Sequence, residues 1–181
     1  MSLPDDYLAV LEHLGRAFAQ YRRMTTSDAV LVGGAATALR TSGAFMSADF
    51  DVVAADDEAF SRAMIHAGFI AEGGTGHLAG GFRHPQHRNY VVEQVSGPLF
   101  DGLADPRRMI RLVTAHGGEI VLPAIEDLIA DRLGQHAVAS ASDPSRLLQA
   151  RALLKMAETI DREYLHRRIV QEGGDPALIG L

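Results

Sequence analysis

Two neighbouring stretches decide the fold: Leu31-Val-Gly-Gly-Ala-Ala-Thr-Ala-Leu39 and, five residues on, Phe45-Met-Ser-Ala-Asp-Phe-Asp-Val-Val53. In the first, the apolar run Ala29-Val-Leu-Val32 reads as a buried strand that ends at Gly33-Gly34 and passes into an alanine-rich helix over Ala35 to Thr41. In the second, Asp49 to Val53 reads as a strand. Its period-two side-chain alternation puts Asp49 and Asp51 on one face, their Cα atoms about 6.6–6.8 Å apart. Two carboxylates on one face repel unless a proton or cation intervenes, and hard oxygen ligands of this kind suit Mg²⁺, which keeps several waters and also binds phosphates. Gly33 and Gly34, between strand and helix, read either as a tight turn or as a place where backbone amides at a helix N-terminus approach an anion. No Gly-x-Gly-x-x-Gly dinucleotide fingerprint follows them.

Working outward, Leu8, Leu11, Leu14, Phe18 and Tyr21 recur at three- and four-residue steps, predicting an amphipathic helix over residues 5–21. Glu58 to Ala67 reads as a helix with an acidic start and Gly68 as its stop. Phe69 to Ala71 and the Gly80-Gly81-Phe82 segment, joined across Gly73-Gly-Thr-Gly76 and His77-Leu78, read as a hairpin. Asn89 to Val95 is β-rich and centres on Glu93, the third acid expected of a site holding two metal ions. Pro106 to Leu112 reads as helix or loop, and Glu119 to Leu122 as a last short strand. Beyond Pro123 the periodicity is helical over Ala124–Gln135, Ser145–Ala157 and the Tyr164–Val170 region, with Ala139 to Asp143 a small-residue connection. The division expected is therefore an α/β core over 1–122 and a helical region over 123–181.

Composition limits the function classes. The chain has 181 residues with 17 Lys+Arg against 23 Asp+Glu, a net charge of −6. A chain of this size buries roughly 70% of its unfolded surface, so a large core is available. With 47% hydrophobic and 22% charged residues it is not intrinsically disordered, and no apolar run approaches the ~20 residues of a membrane span. Zero cysteines exclude disulfides, a thiol nucleophile and thiolate-ligated zinc. Met1-Ser-Leu-Pro-Asp5 lacks a secretory pattern, so the expected location is the cytoplasm. The acidic balance disfavours bulk electrostatic binding of nucleic acid.

In order and spacing, Gly33-Gly34, Asp49-Phe-Asp51 and Glu93 resemble the nucleotidyltransferase superfamily related to DNA polymerase beta. The later Glu126-Asp-Leu-Ile-Ala-Asp-Arg-Leu133, Gln149-Ala-Arg-Ala-Leu-Leu154 and Ile160-Asp-Arg-Glu-Tyr-Leu165 are similar to the minimal bacterial members that include AbiEii-type toxins. The resemblance spans roughly residues 28–170. It implies an α+β fold, a small mixed sheet with flanking helices and a helical C-terminal region. It also implies transfer of a nucleoside monophosphate from an NTP to an acceptor hydroxyl, with Mg²⁺ or Mn²⁺. Asp49, Asp51 and Glu93 would hold the metals and carry catalysis, Glu93 aligning or activating the acceptor. Gly33, Gly34, Ser47, Arg83, Arg88 and Arg132 would contact the nucleotide. The acceptor implied is RNA, a protein or a small molecule, and a toxin role would add a cognate antitoxin as partner. The chain has Phe45 and Ser47 where relatives often carry Arg and Thr, and Gly34 where they often carry Ser. The alternative function is accordingly a nucleotide-binding or interaction module of the same fold without turnover.

Other polar residues are read conservatively. Phe82-Arg-His-Pro-Gln-His-Arg88 is the densest basic and imidazole cluster of this acidic chain. It reads as a solvated turn, as a loop through which Arg83, His84, His87 and Arg88 hold triphosphate or acceptor, or, with His77 nearby, as a transition-metal site. Asp127 and Arg132 are expected on a helix surface. Arg107, Arg108, Arg111, Arg162, Arg167 and Arg168 are expected on polar faces of helices or on a partner surface, and the Met and Phe residues in the core.

Overall fold

The structure, a computed structural model, describes residues 3–73, 81–140 and 142–181. Helix α1 (Asp5–Thr25) buries Tyr7, Val10, Leu11, Leu14, Phe18 and Tyr21 along one stripe, and Asp5 and Asp6 complement the positive end of its dipole. It outruns the expected 5–21 by one turn and stops at Thr26, whose left-handed backbone (φ 62) lets its amide donate to the Arg22 carbonyl. Strand β1 (Val30–Leu31) leads into α2 (Gly33–Arg40), followed by β2 (Asp49–Val53), α3 (Asp57–His66), β3 (Ile70–Ala71), β4 (Phe82–Arg83) and β5 (Val91–Val95). These strands form one mixed sheet in the order β1-β2-β5-β4-β3, antiparallel throughout except for the β2–β5 pair. The proposed hairpin exists as β3–β4, with the Glu72 amide donating to the Gly81 carbonyl at 2.8 Å; the turn residues Gly74 to Gly76, His77, Leu78 and Gly80 lie outside the described residues. Ala141, in the expected Ala139–Asp143 connection, also lies outside them.

Alternation along β2 divides the sheet's two faces. Phe50 and Val52 are fully buried, and Phe50 packs on Tyr7 of α1 with ring centroids 4.8 Å apart. Tyr7 meets Tyr90 edge-on at 5.5 Å, and Tyr21 of α1 donates no less to the frame: its hydroxyl accepts the Asp56 amide at the start of α3. Asp49 and Asp51 consequently face away from α1.

The segment expected as helix or loop over Pro106–Leu112 divides instead into a 3₁₀ turn (Pro106–Arg108) and a strand, β6 (Ile110–Val113), which pairs antiparallel with β7 (Glu119–Leu122). β6 was illegible because Leu112 and Val113 are exposed, so the strand lacks an apolar-in, polar-out alternation. Three helices follow: α4 (Ile125–Val138), α5 (Ser145–Met156) and α6 (Arg162–Gln171). Their core is continuous with that of the sheet, through Leu128, Ile129, Leu133, Leu153, Leu165 and Ile169.

Asp127, Arg132 and Arg168 are not surface residues. Asp127 is 1% and Arg168 0% exposed. Asp127 accepts from Arg168 Nε at 2.6 Å and from the Tyr164 hydroxyl at 3.0 Å, while Arg168 also reaches Gln171 and Glu172. Beside them, Glu126 accepts the Asp161 amide at 3.0 Å. The Glu126-Asp127 pair on α4 therefore fixes the start and the buried face of α6. Helical periodicity identified α4 and α6 separately, but their burial depended on a partner some forty positions away, as in the Asp127–Arg168 bond.

Removing one member of this network strands the other in the core. Asp127→Ala is expected to cost about 3–5 kcal/mol, read as a lower urea midpoint at unchanged slope. An exposed control, Glu58→Ala on α3, which loses only a surface pair with Arg62, should cost at most about 0.5 kcal/mol.

Candidate active-site cleft

The β2–β5 pair is parallel and in register, with Asp51 opposite Glu93. Asp49, Asp51 and Glu93 thus share one sheet face, and all three line a cleft of about 440 Å³. The cleft also contains Gly33, Gly34, Ser47 and Arg132, as well as Phe100, Asp101, Asp131, Gln135, Arg146 and Glu172 from the connection after β5 and from the C-terminal helices. Arg83 and Arg88 do not line it. Arg83 pairs with Glu72 at 2.7 Å and donates to the Arg88 carbonyl at 2.8 Å, which uses it to brace β4 and its following turn.

Gly33 is the first residue of α2, with φ +65, and a Cβ there would overlap Asp51 Oδ2. The absent side chain is required on both counts. The Val32 amide donates to the Asp51 carbonyl at 2.8 Å, pinning the glycine corner to β2 at the acid itself. The glycines are therefore the opening turn of α2, not a separate turn ahead of it. The opening amides of a helix have no acceptor within it, and those of α2 adjoin the cleft.

Gly34 has a different reason. A Cβ at this position would lie 2.8 Å from Ser47 Oγ and 3.0 Å from Ser47 Cβ. Ser47, whose hydroxyl donates to the Asp49 carbonyl at 3.0 Å, fills the space that a side chain at position 34 would take. The corner has a hydroxyl, delivered from the loop before β2.

The cleft's electrostatics are unbalanced. Among the described residues no cationic side chain pairs with Asp49, Asp51 or Glu93. Burial, then the charges of Glu93 and Asp49, push the Asp51 carboxyl above its ordinary range, against a smaller opposing pull from Arg132. A half-buried carboxylate beside two more carboxylates fits a hard divalent cation, while the neighbouring opening amides of α2 suit an anion.

Arg132 is 2% exposed and engaged by Asp131 and, at 3.4 Å, by Gln149. Gln135 holds the second Asp131 oxygen at 3.1 Å. The cation that lines the cleft with no ion-pair partner among the described residues is Arg146, in the first turn of α5. No local motif marks Arg146; folding brings α5 to the cleft. Phe100 and Asp101, also on the cleft wall, hold left-handed backbones (φ 46 and 54), a conformation costly for residues with a Cβ.

No protein-family model and no curated protein matches the sequence. Solved structures match over most of its length. A nucleotidyltransferase-like antigenic protein from Paracoccidioides brasiliensis aligns with TM-score 0.59 and 16% identity over 94% of this chain and 88% of its own. The antibiotic-resistance factor ANT(2'')-Ia aligns with TM-score 0.55 and 10% identity over 90% of each chain. The chain thus has the nucleotidyltransferase fold, an α+β architecture with a mixed five-stranded sheet. Among the described residues no helix is long and apolar enough to cross a membrane.

Because the folded-state pKa of Asp51 is raised, its ionisation costs stability at any pH above that value, and the cost fades as pH falls toward the ordinary carboxylate range. In chelator at pH 7, Asp51→Asn is therefore expected to raise Tm, by about 2–4 °C for each kcal/mol of repulsion relieved. The gain over the unsubstituted chain should shrink on acidification. Gly33→Ala is expected to do the reverse, losing at least about 1–2 kcal/mol through its backbone and its overlap with Asp51, measurable by urea denaturation.

Proposed function

We propose that the protein is a metal-dependent nucleotidyltransferase that moves a nucleoside monophosphate from an NTP to an acceptor hydroxyl. The observation that carries this reading is the meeting of three carboxylates, Asp49, Asp51 and Glu93, unpaired among the described residues, with the opening turn of α2 in one cleft. The shared fold is consistent with it.

In this reading Asp49, Asp51 and Glu93 hold Mg²⁺ or Mn²⁺. When bound, the metal supplies charge stabilisation for the triphosphate and lowers the pKa of a coordinated hydroxyl. The chain's own residues do the rest. The first amides of α2 receive phosphate oxygens, with the helix dipole favouring negative charge there. Ser47 Oγ, beside Gly34, offers a further donor, and Arg146 offers a guanidinium with no ion-pair partner among the described residues. Arg132 positions indirectly, by fixing Asp131 on the opposite wall. Glu93, across from Asp51, aligns the acceptor hydroxyl and takes its proton as the oxygen attacks the α-phosphorus. The P–O bond to the β-phosphate breaks and pyrophosphate leaves. Holding nucleotide and acceptor in line is the main contribution such a site makes.

The test is transfer of label from each α-labelled NTP to RNA, protein and small-molecule acceptors. Transfer should require Mg²⁺ or Mn²⁺ and be lost in the Asp49→Asn/Asp51→Asn double variant with circular dichroism unchanged. Arg146→Ala is expected to raise the KM for NTP by about tenfold, the loss of roughly 1.4 kcal/mol of a charged contact. Arg83→Ala, remote from the cleft, should leave it unchanged. Transfer that persists in the folded double variant rejects the assignment.

A further inference from the structure

The imidazole-rich turn after β4 has no place in the cleft, yet it does not stand alone. Helix α1 brings His13 against it, so that His13, His84 and His87 each offer a ring nitrogen within 4.8 Å of the others. Ring centroids are 3.7 Å apart for His13–His84, 5.3 Å for His84–His87 and 5.9 Å for His13–His87. We propose that these three histidines form a transition-metal site, selective for Zn²⁺ or a similar imidazole-preferring ion, that ties α1 to the turn feeding β5.

Three features of the surroundings support it. First, the ligands are held. His84 is 7% exposed, the His87 amide donates to the His84 carbonyl at 2.9 Å to close the turn, and Phe69 packs edge-on against both His13 and His84. Second, a backbone carbonyl favours one tautomer. His13 Nδ1 lies 3.4 Å from the Ala67 carbonyl, a contact that only an Nδ1–H satisfies, which leaves the Nε2 lone pair free. A carbonyl on the far ring nitrogen is the usual outer support of a metal-bound imidazole. Third, there is room: Gly68 stands beside His84, where a Cβ would come 3.2 Å from Nε2, and its φ of +96 favours glycine independently. The Gln86 amide lies 3.4 Å from His84 Nδ1, as far as the Ala67 carbonyl from His13 Nδ1, a contact that leaves the Nε2 of the His84 ring available to a metal.

Zn–N bonds of about 2.0–2.1 Å place tetrahedral ligand nitrogens roughly 3.3–3.4 Å apart. The nitrogens therefore need to close by at most about 1.5 Å, within reach of side-chain rotation. Three imidazole nitrogens with no carboxylate among them discriminate against Mg²⁺ and Ca²⁺, which take oxygen. The site is chemically orthogonal to the acid cleft. It is also on the other side of the sheet, since α1 packs on the Phe50 face and the acids on β2 point away from it. Its role follows from what it joins: β5 carries Glu93, and a cross-link from α1 to the turn before β5 stiffens that strand's entry.

The experiment is calorimetric titration of the untagged chain with ZnCl₂ in excess MgCl₂, with Tm followed in parallel. One Zn²⁺ per chain is expected, with Tm rising by about 5–10 °C at 100-fold saturation. His87→Gln, chosen because this ring is only half-buried, should keep the fold and weaken Zn²⁺ binding about tenfold or more. His13→Gln should do the same. Asp49→Asn/Asp51→Asn should bind Zn²⁺ as the parent does. With Co²⁺ in place of Zn²⁺, the parent should give the visible absorption of a nitrogen-ligated four-coordinate ion, and His87→Gln should not. Absence of saturable Zn²⁺ binding to the folded parent overturns the proposal. So does binding that survives both histidine variants or is lost with the two aspartates. None of these readouts depends on nucleotidyl transfer.

Discussion

Mutual repulsion among three carboxylates is the constraint around which the molecule is arranged. The parallel pairing of β2 with β5 sets Asp51 opposite Glu93, and the pleat returns Asp49 to the same face. Left to itself such a cluster would splay or protonate, and the upward shift of Asp51 records that tension. The sheet holds the acids through backbone hydrogen bonds, which are indifferent to side-chain charge, and through the apolar opposite face, where Phe50 and Val52 are packed under α1. Stability is supplied on one face of β2 while charge is concentrated on the other.

The glycine corner follows from the same constraint. Gly33 has no side chain because Asp51 occupies that space, and the Val32 amide ties the corner to the Asp51 carbonyl. The start of α2 is thereby brought beside the acids without a steric penalty. Gly34 and Ser47 are complementary in the same way: one omits the volume that the other fills. What looks in the sequence like the loss of a hydroxyl at position 34 is its delivery from another segment.

The helical region completes the cleft through its own buried charges. Asp127, Tyr164 and Arg168 lock α6 to α4, and Arg132 holds Asp131 and Gln149, so the wall opposite the acids is built from satisfied ion pairs. A buried network of this kind tolerates little displacement, because an unpaired buried charge is far more costly than an unpaired surface one. Arg146, on α5, stands apart from this network, which gives it a different character from Arg132 on α4, which is fully committed.

By itself the sequence determined the strand, glycine, helix, Asp-x-Asp order, the period-two placement of Asp49 and Asp51, and most of the helices, because these depend on local periodicity and on residues within a few positions of each other. It also singled out Glu93 as the third acid by its place in a β-rich run. Only the tertiary structure decided that β5 lies parallel to β2 with Glu93 in register with Asp51, that Arg83 and Arg88 stay away from the cleft while Arg146 enters it, and that His13 joins His84 and His87. It likewise decided the burial of Asp127, Arg132 and Arg168 and the existence of β6, whose exposed residues carry no alternation. Each of these rests on pairings between distant segments, and the free energy of such a pairing is a property of two surfaces in contact, which no window of a single chain contains.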